Sequence, residues 1–347
     1  MKIAILDPFS GISGDMTLGA LIDVGLDPEW LRALPASLGL EGVVVQIADV
    51  KRGEIACKKV DFDIPAQPHG RHLRQIRDVV ERSGAPAAVK ERADRAFTMV
   101  AEQEAALHGT TVERVHLHEV GAVDAILDVV GAVWGFELLG FERVCCGPIS
   151  TGDGVVQAAH GTLPVPAPAT LRLLEGHRIR PGPDGAGELV TPTGAALVRV
   201  LAESAPPSEY IPLRSGYGAG TKEFAGRANA LRLIVAETSG VAEGCDVEEL
   251  LLLASDIDDM SPEYLAATAE LLRGRGALDV VLMPATMKRG RPGTRIEILS
   301  RPASARVLEE LLLVHSTTVG VRRTVVSRRA LPREIKRVEV LDRKSVV

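Results

Sequence analysis

Short apolar runs and helical periodicities alternate along the first 146 residues. "KIAIL" (residues 2–6) is an unbroken apolar run of the kind that forms a short buried strand, and residues 16–24 carry the spaced apolar positions of a helix. Between them "DPFSGISGD" is too polar to be only a spacer. A long charged helix is predicted over 87–108, and another over "VDAILDVVGAVWGFELLG". Strands alternating with helices indicate an α/β layer arrangement. From Gly147 to Gly240 the texture changes to proline and glycine punctuation, as in "GPISTGDG", "LPVPAPATL" and "TPTGAAL", the composition of loops on a rigid scaffold.

"TSGVAEGC" (238–245) reads as a linker. Beyond it the pattern predicts a strand at 249–255, a helix at 262–273, strands at 278–284 and 294–299, a helix at 302–314 and a strand at 319–327. That βαββαβ order is the ferredoxin-like arrangement. The expected fold class is therefore α/β (α+β overall): an N-terminal α/β domain over 1–240 and a ferredoxin-like domain over 241–335.

Composition narrows the function classes. No uncharged apolar run in the 347 residues approaches the roughly 18 needed to cross a bilayer, and residues 1–15 lack a signal pattern. Aromatic residues are only 3% of the chain, so stacking platforms for single-stranded nucleic acid are nearly absent. Neither a membrane nor a nucleic acid is expected as partner. The 4 cysteines contain no CxxC pair, Cys145 and Cys146 read as buried strand residues, and a reducing cytoplasm is the simplest setting. Net charge is −6, but residues 285–347 hold 15 Lys and Arg against 6 Asp and Glu, or +9, leaving −15 for the rest. A basic end beside an acidic body points to an anionic partner for that end, or to a solvated basic face.

Several motifs carry chemistry. The opening bend sets Ser10, Gly11, Ser13, Gly14 and Asp15 ahead of a helix, whose N-terminus favours an anion; a plain turn with Ser13 or Asp15 as helix cap is the alternative. "HLHEVGAVDAILD" places His116, His118 and Glu119 just before a helix. If the two histidines lie on a strand they share one side and suit nickel or zinc; buried, hydrogen-bonded histidines are the other reading. Asp124 and Asp128, at i and i+4, share a helical face. His69 and His72 in "PHGRHL" form a weak HxxH pair, and His160 in "AAHGTLP" is an acid, base or ligand candidate. In "SDIDDMSPEYL" Asp256, Asp258 and Asp259 form a carboxylate cluster suited to Mg²⁺ or Mn²⁺, followed by Ser261 and Pro262 as helix cap and first residue. Lys288, Arg289 and Arg291 in "MKRGRPG", with Ser316, Thr317, Thr318 and Arg322 in "HSTTVGVRR", are the complement of a triphosphate. Together these indicate a metal–nucleotide site.

With its motifs "DPFSGISGDMTLGALIDVG", "HLHEVGAVDAILDVVGA", "TPTGAAL", "GYGAGTKEF", "DIDDMSPE" and "MKRGRPG" in order, the chain resembles the LarC family of nickel-insertion proteins from Met1 to about Val340. The resemblance implies a CTP-dependent cyclometallase of the lyase class. Its substrate is pyridinium-3,5-bisthiocarboxylic acid mononucleotide, into which Ni²⁺ is inserted with one Ni–C and two Ni–S bonds to give the nickel-pincer nucleotide of lactate racemase-type enzymes. CTP is converted to CMP and pyrophosphate with Mn²⁺ or Mg²⁺. On this reading His116, His118 and Glu119, with His69 and His72, deliver nickel, Asp124 or His160 is the base, and the opening bend holds the substrate's phosphate. The partners implied are the substrate nucleotide, CTP and apo-lactate racemase or a related enzyme, with the chain a homo-oligomer. The family's long histidine run is reduced here to "HGRH", so nickel buffering by that loop is expected to be weak or absent. Residues 336–347 are expected to be the truncated start of a further small domain with an artefactual tail, "DRKSVV". The rival functions are a non-catalytic nickel carrier, which has no need of the Asp256–Arg291 constellation, and a metal-dependent nucleotide hydrolase.

Overall fold

The computed structural model describes residues 1–66, 70–117, 120–158, 161–238, 246–330, 337–340 and 343–346. Contacts divide the chain into two compact units, residues 1–239 and 240–347.

In the first unit a six-stranded sheet has β1 (Lys2–Asp7) next to one of its edge strands. β1 runs parallel to β4 (Arg143–Cys146) and antiparallel to the strand Ala230–Glu237, which pairs in turn with the strand Ile211–Ala219. The hairpin of β2 (Val44–Arg52) and β3 (Ile55–Asp63) completes the sheet, β3 meeting the strand Ile211–Ala219 at Lys58 and Gly218. β1 is apolar and buried from Ile3 to Leu6 because both its faces are covered there. Ala4 and Leu6 enter the main core, while Ile3 and Ile5 pack with Cys145, Ile234 and Ala236 on the other side. Cys145 and Cys146 are the buried strand residues expected of them.

The helices of this unit are α1 (Gly14–Asp23), α2 (Pro28–Ser37), α3 (Leu73–Arg82), α4 (Ala87–His108), α5 (Val123–Leu139), α6 (Pro168–Leu173) and α7 (Pro192–Leu201). α4 buries Val89, Ala93, Phe97, Val100 and Ala105, the i, i+4 stripe legible in its sequence, and ends on Gly109 in the left-handed region. α5 is buried on nearly every side and packs on α1 and α4. α1 lies close on the sheet because Gly218 has no side chain: a Cβ there would overlap the Met16 carbonyl. Between residues 147 and 190, where loops were expected, the chain forms three small two-stranded patches, 149–150 with 179–180, 152–153 with 187–188, and 155–158 with 161–164.

The second unit is an antiparallel four-stranded sheet with two helices, α8 (Pro262–Gly274) and α9 (Pro302–His315). In sheet order the strands are Asp279–Thr286, Pro292–Ser300, Asp246–Ile257 and Arg322–Ala330. Numbered along the chain this is 2-3-1-4, the ferredoxin-like order. Leu253, Ile257, Val280, Ile296 and Ile298 bury one sheet face against Leu265, Leu272, Leu308 and Leu312 of the helices. The last strand begins at Arg322 rather than at the predicted 319. Ser316 Oγ accepts from the Thr318 amide and Ser255 Oγ donates to the Gly320 carbonyl, so side chains hold these backbone groups until Arg322 pairs with Ala254. Residues 337–340 and 343–346 pair as a short antiparallel ribbon.

Candidate functional site

In the first unit the opening bend is a tight turn. Gly11, at φ 91°, donates its amide to the Pro8 carbonyl, and a Cβ there would overlap the Leu189 carbonyl. Ile12 and Thr191 tie the bend to the start of α7 through Ile12 N–H to Leu189 O and Thr191 N–H to Ile12 O. Ser13 occupies the N-cap position of α1 but aims its hydroxyl at the Asp15 carboxylate. Ser10 is buried, its Oγ without a hydrogen-bond partner.

A carboxyl group of the protein itself stands at the N-terminus of α1. Asp128, on α5, lies directly against Gly14, where a Cβ would overlap its carboxyl group. Its Oδ1 is inaccessible and has no hydrogen-bond partner among the described residues. Burial, then the charges of Asp15 and Asp124, push the Asp128 carboxyl well above the usual carboxylate range; Lys59 and the Asp15 amide oppose this. Lys59, buried on β3, donates to Asp15 at 2.7 Å and pairs with Asp61 at 2.9 Å. Burial works against its charge, but these two carboxylates outweigh it and hold the ammonium above its ordinary pKa. Ser13, Asp15, Asp61 and Asp128 line a cavity of about 400 Å³ together with Asp124, Glu188 and Thr193. Asp124 stands at the first turn of α5, its Oδ1 accepting from the Ala125 amide at 2.8 Å.

His72 and His116 come together, ring edge to ring face with centroids 5.1 Å apart. His72 N-caps α3 and its Nδ1 donates to the Val115 carbonyl at 3.0 Å. His116 lies not on a strand but in an irregular segment pinned by the single Arg71–Leu117 bridge, because Arg71 and Leu117 exchange amide bonds only there. His69, His118, Glu119 and His160 lie outside the described residues.

In the second unit Asp256, Asp258, Asp259, Thr317, Thr318 and Arg322 line one cleft of about 510 Å³. Asp256 is gripped by Arg295 at 2.7 and 3.1 Å and by Arg322 at 2.7 Å. The Arg295 bonds, then that of Arg322, hold its pKa down at about 2. Asp258 faces Arg291 at 3.2 Å, and Asp259 accepts from the Thr317 hydroxyl. Lys288 and Arg289 are exposed on the turn Lys288–Gly290, outside the cleft lining. The three aspartates thus meet arginines and a threonine rather than one another. Among the described residues no group of three or more His, Cys, Asp and Glu side chains is arranged to hold a metal ion. Nor is any described helix long and apolar enough to cross a membrane.

The sequence profile of the nickel insertion proteins matches residues 4–346. The chain belongs to that family. Among its curated relatives is a putative nickel insertion protein of Thermomicrobium roseum, 46% identical over 336 residues, 96% of this chain and 82% of the relative. Another family member, the pyridinium-3,5-bisthiocarboxylic acid mononucleotide nickel insertion protein of Desulfitobacterium hafniense, is 42% identical over 347 residues, 98% of this chain and 85% of that one. Among solved structures, LarC2, the C-terminal domain of a cyclometallase in synthesis of the lactate racemase NPN cofactor, aligns at 26% identity with a TM-score of 0.26. That alignment covers 29% of this chain and 78% of LarC2.

Asp128 and Asp61 of the acidic cavity, and Lys59 beside them, escaped the sequence reading as site residues. Asp128 had a signal, a carboxylate inside the otherwise apolar run "AILDVVGAV". Lys59 and Asp61 had none: in "CKKVDFD" they read as the polar positions of a half-exposed strand.

Proposed function

We propose that this chain inserts Ni²⁺ into pyridinium-3,5-bisthiocarboxylic acid mononucleotide, with CTP converted to CMP and pyrophosphate, to give the nickel-pincer nucleotide used by lactate racemase-type enzymes. The observation that carries this reading is the 42% identity, across 347 residues, with the D. hafniense protein named for that nucleotide. The acidic cavity of the first unit supports it, since Asp15, Asp61, Asp124, Asp128 and Glu188 line it and favour cationic groups, here the incoming Ni²⁺ and the pyridinium ring. The thiocarboxylate sulfurs supply the soft donors that nickel prefers. His72 and His116, with His69, His118 and Glu119 near them in sequence, are the delivery ligands on this reading. Asp124 and His160 are the proton acceptors that the motifs suggest.

In the second unit Arg322, Thr317 and Thr318 would receive the triphosphate of CTP, with Arg291, Lys288 and Arg289 adding positive charge. The donor set fits Mn²⁺ or Mg²⁺ entering with the nucleotide: Asp258 and Asp259 offer hard oxygens, and such ions are commonly held by one or two carboxylates plus substrate phosphates rather than by a protein cage. When bound, the ion neutralises triphosphate charge. Asp256 remains with its arginines and fixes their forks.

Incubating the full-length protein with CTP, Mn²⁺, Ni²⁺ and the bisthiocarboxylate nucleotide, and analysing by mass spectrometry, tests the reading. The expected result is a nickelated nucleotide formed only when CTP is present. CTP turnover that is indifferent to the bisthiocarboxylate nucleotide, with no nickelated product, refutes it.

A further inference from the structure

We propose that Asp128 is the proton acceptor of the metallation, taking up the proton that leaves the pyridinium ring as its C–H bond gives way to a Ni–C bond. The inference rests on the function proposed above and assigns that reaction's proton to a residue that the motif reading did not select.

The first support is the position of Asp128. α5 buries Val123, Ile126, Leu127, Val129, Val130 and Val133 around it, and an apolar residue would satisfy packing alone. A carboxyl retained for structure alone would be expected to have both oxygens bonded, because burying a polar group without partners is costly. Here Oδ1 has no hydrogen-bond partner among the described residues while the residue lines the cavity. Gly14 keeps the space into which that carboxyl fits.

The second support is the field around it. α1 contributes Asp15, β3 contributes Lys59 and Asp61, the same helix contributes Asp124, and Glu188 lies on the cavity wall. Lys59 is engaged by Asp15 and Asp61, so it acts on Asp128 through space and not as a bonded partner. Burial and the charges of Asp15 and Asp124 raise the proton affinity of Asp128 above that of an ordinary carboxylate, the direction that makes it a stronger base. Asp124 differs: it caps the first turn of its own helix and is exposed.

The step balances without redox. The C–H bond breaks, its electron pair becomes the C–Ni bond, the proton moves to the Asp128 carboxylate, and nickel stays Ni(II). Release of the proton to water regenerates the carboxylate.

The test measures single-turnover nickelation by full-length wild type, Asp128→Asn and Asp128→Glu, from pH 5 to 9, on substrate carrying hydrogen or deuterium at the metallated ring carbon. Expected for Asp128→Asn is unchanged thermal unfolding, substrate binding within about threefold, and nickelation slower by about 100-fold or more, with the rising acid limb of the rate profile gone. Asp128→Glu should retain part of the rate with that limb displaced. Should the asparagine variant not fold, Asp128→Glu carries the test, and a limb identical to wild type overturns the assignment. Asp128→Asn nickelating within fivefold of wild type with the same limb overturns it too and leaves the proposed function standing. Absence of product from wild type overturns both.

Discussion

Replacing Gly14 by alanine tests the packing of the acidic cavity. In an exposed helix interior this change would stabilise by up to about 1 kcal/mol, because glycine loses more backbone freedom on folding. At Gly14 the new methyl would overlap Cβ, Cγ and Oδ2 of Asp128, closer than real Cβ contacts allow. Asp128 sits on α5 and cannot swing aside without moving a buried helix, so an overpacking cost of about 1–3 kcal/mol applies. Overpacking wins, and Gly14→Ala should lose about 1–2 kcal/mol, a fall in unfolding temperature of about 2–8 °C for a unit of this size. Gly84→Ala is the control, since nothing lies within 4 Å of a Cβ there, and it should stay within about 0.5 kcal/mol of wild type. Thermal and urea unfolding of the full-length chain measure both, and nickelation by Gly14→Ala should fall at least about tenfold, since the displaced carboxyl no longer meets the substrate at its proper distance. A Gly14→Ala protein as stable and as active as wild type would refute the reasoning.

Three further outcomes follow from the structure. Lys59→Met leaves the half-buried Asp15 without its cation and should lower stability by about 2 kcal/mol in urea unfolding, the exposed Asp61 adding little; a loss under about 0.5 kcal/mol would contradict a buried Lys59–Asp15 pair. Asp256 is held at about 2 against an ordinary 3.8, so the stability it contributes is complete above its unfolded pKa and is lost as pH falls through the folded one. Asp256→Asn should therefore flatten the acid limb of the second unit's unfolding between about pH 4 and about pH 2, and an unaltered limb contradicts the arginine clamp. Arg322→Ala should weaken Mg²⁺–CTP binding by about tenfold or more in calorimetry, while Arg306→Ala, whose partner Glu310 is one helical turn away on an exposed face, should not; equal effects would remove the cleft from nucleotide binding.

The ferredoxin-like unit was legible in the sequence because its apolar runs are each bounded by a cap or turn residue. Ser261–Pro262 and Arg301–Pro302 start its helices, and proline at the first helical position is the reason. The error at residues 319–321 came from side-chain bonds of Ser255, Ser316 and Thr318, which depend on tertiary neighbours. The carboxylate cluster of "DIDDM" was visible, but Arg295, which lies across the sheet from Asp256, was not, since register is set by the fold and not by local spacing. The same limit hid Lys59. What brings it to Asp15 is the packing of α1 on β3, and that depends on glycines whose value is a close approach rather than a motif.

Magnitudes also decide what the opening bend can hold. The backbone dipole at a helix N-terminus stabilises an anion by about 0.3–1 kcal/mol, up to about 2 when partly buried. Asp128 already occupies that place, with Asp15 and Asp124 beside it and a single lysine shared by Asp15 and Asp61. A phosphate added there would meet each like charge at about 3 kcal/mol per unit pair, taking 5 Å and an effective dielectric of 20. One such pair outweighs the dipole, a magnitude that argues for a metal ion or a cationic ring at the bend, as in the proposed function, over the expected phosphate. Net charge alone does not draw this division, since residues 1–239 sum to −7 and residues 240–347 to +1, with the basic excess confined to the chain after residue 284. On the proposed function it is the placement of side chains that divides the work: the threonines and Arg322 of the second unit's cleft meet the triphosphate, and the carboxylates lining the first unit's cavity meet positive charge.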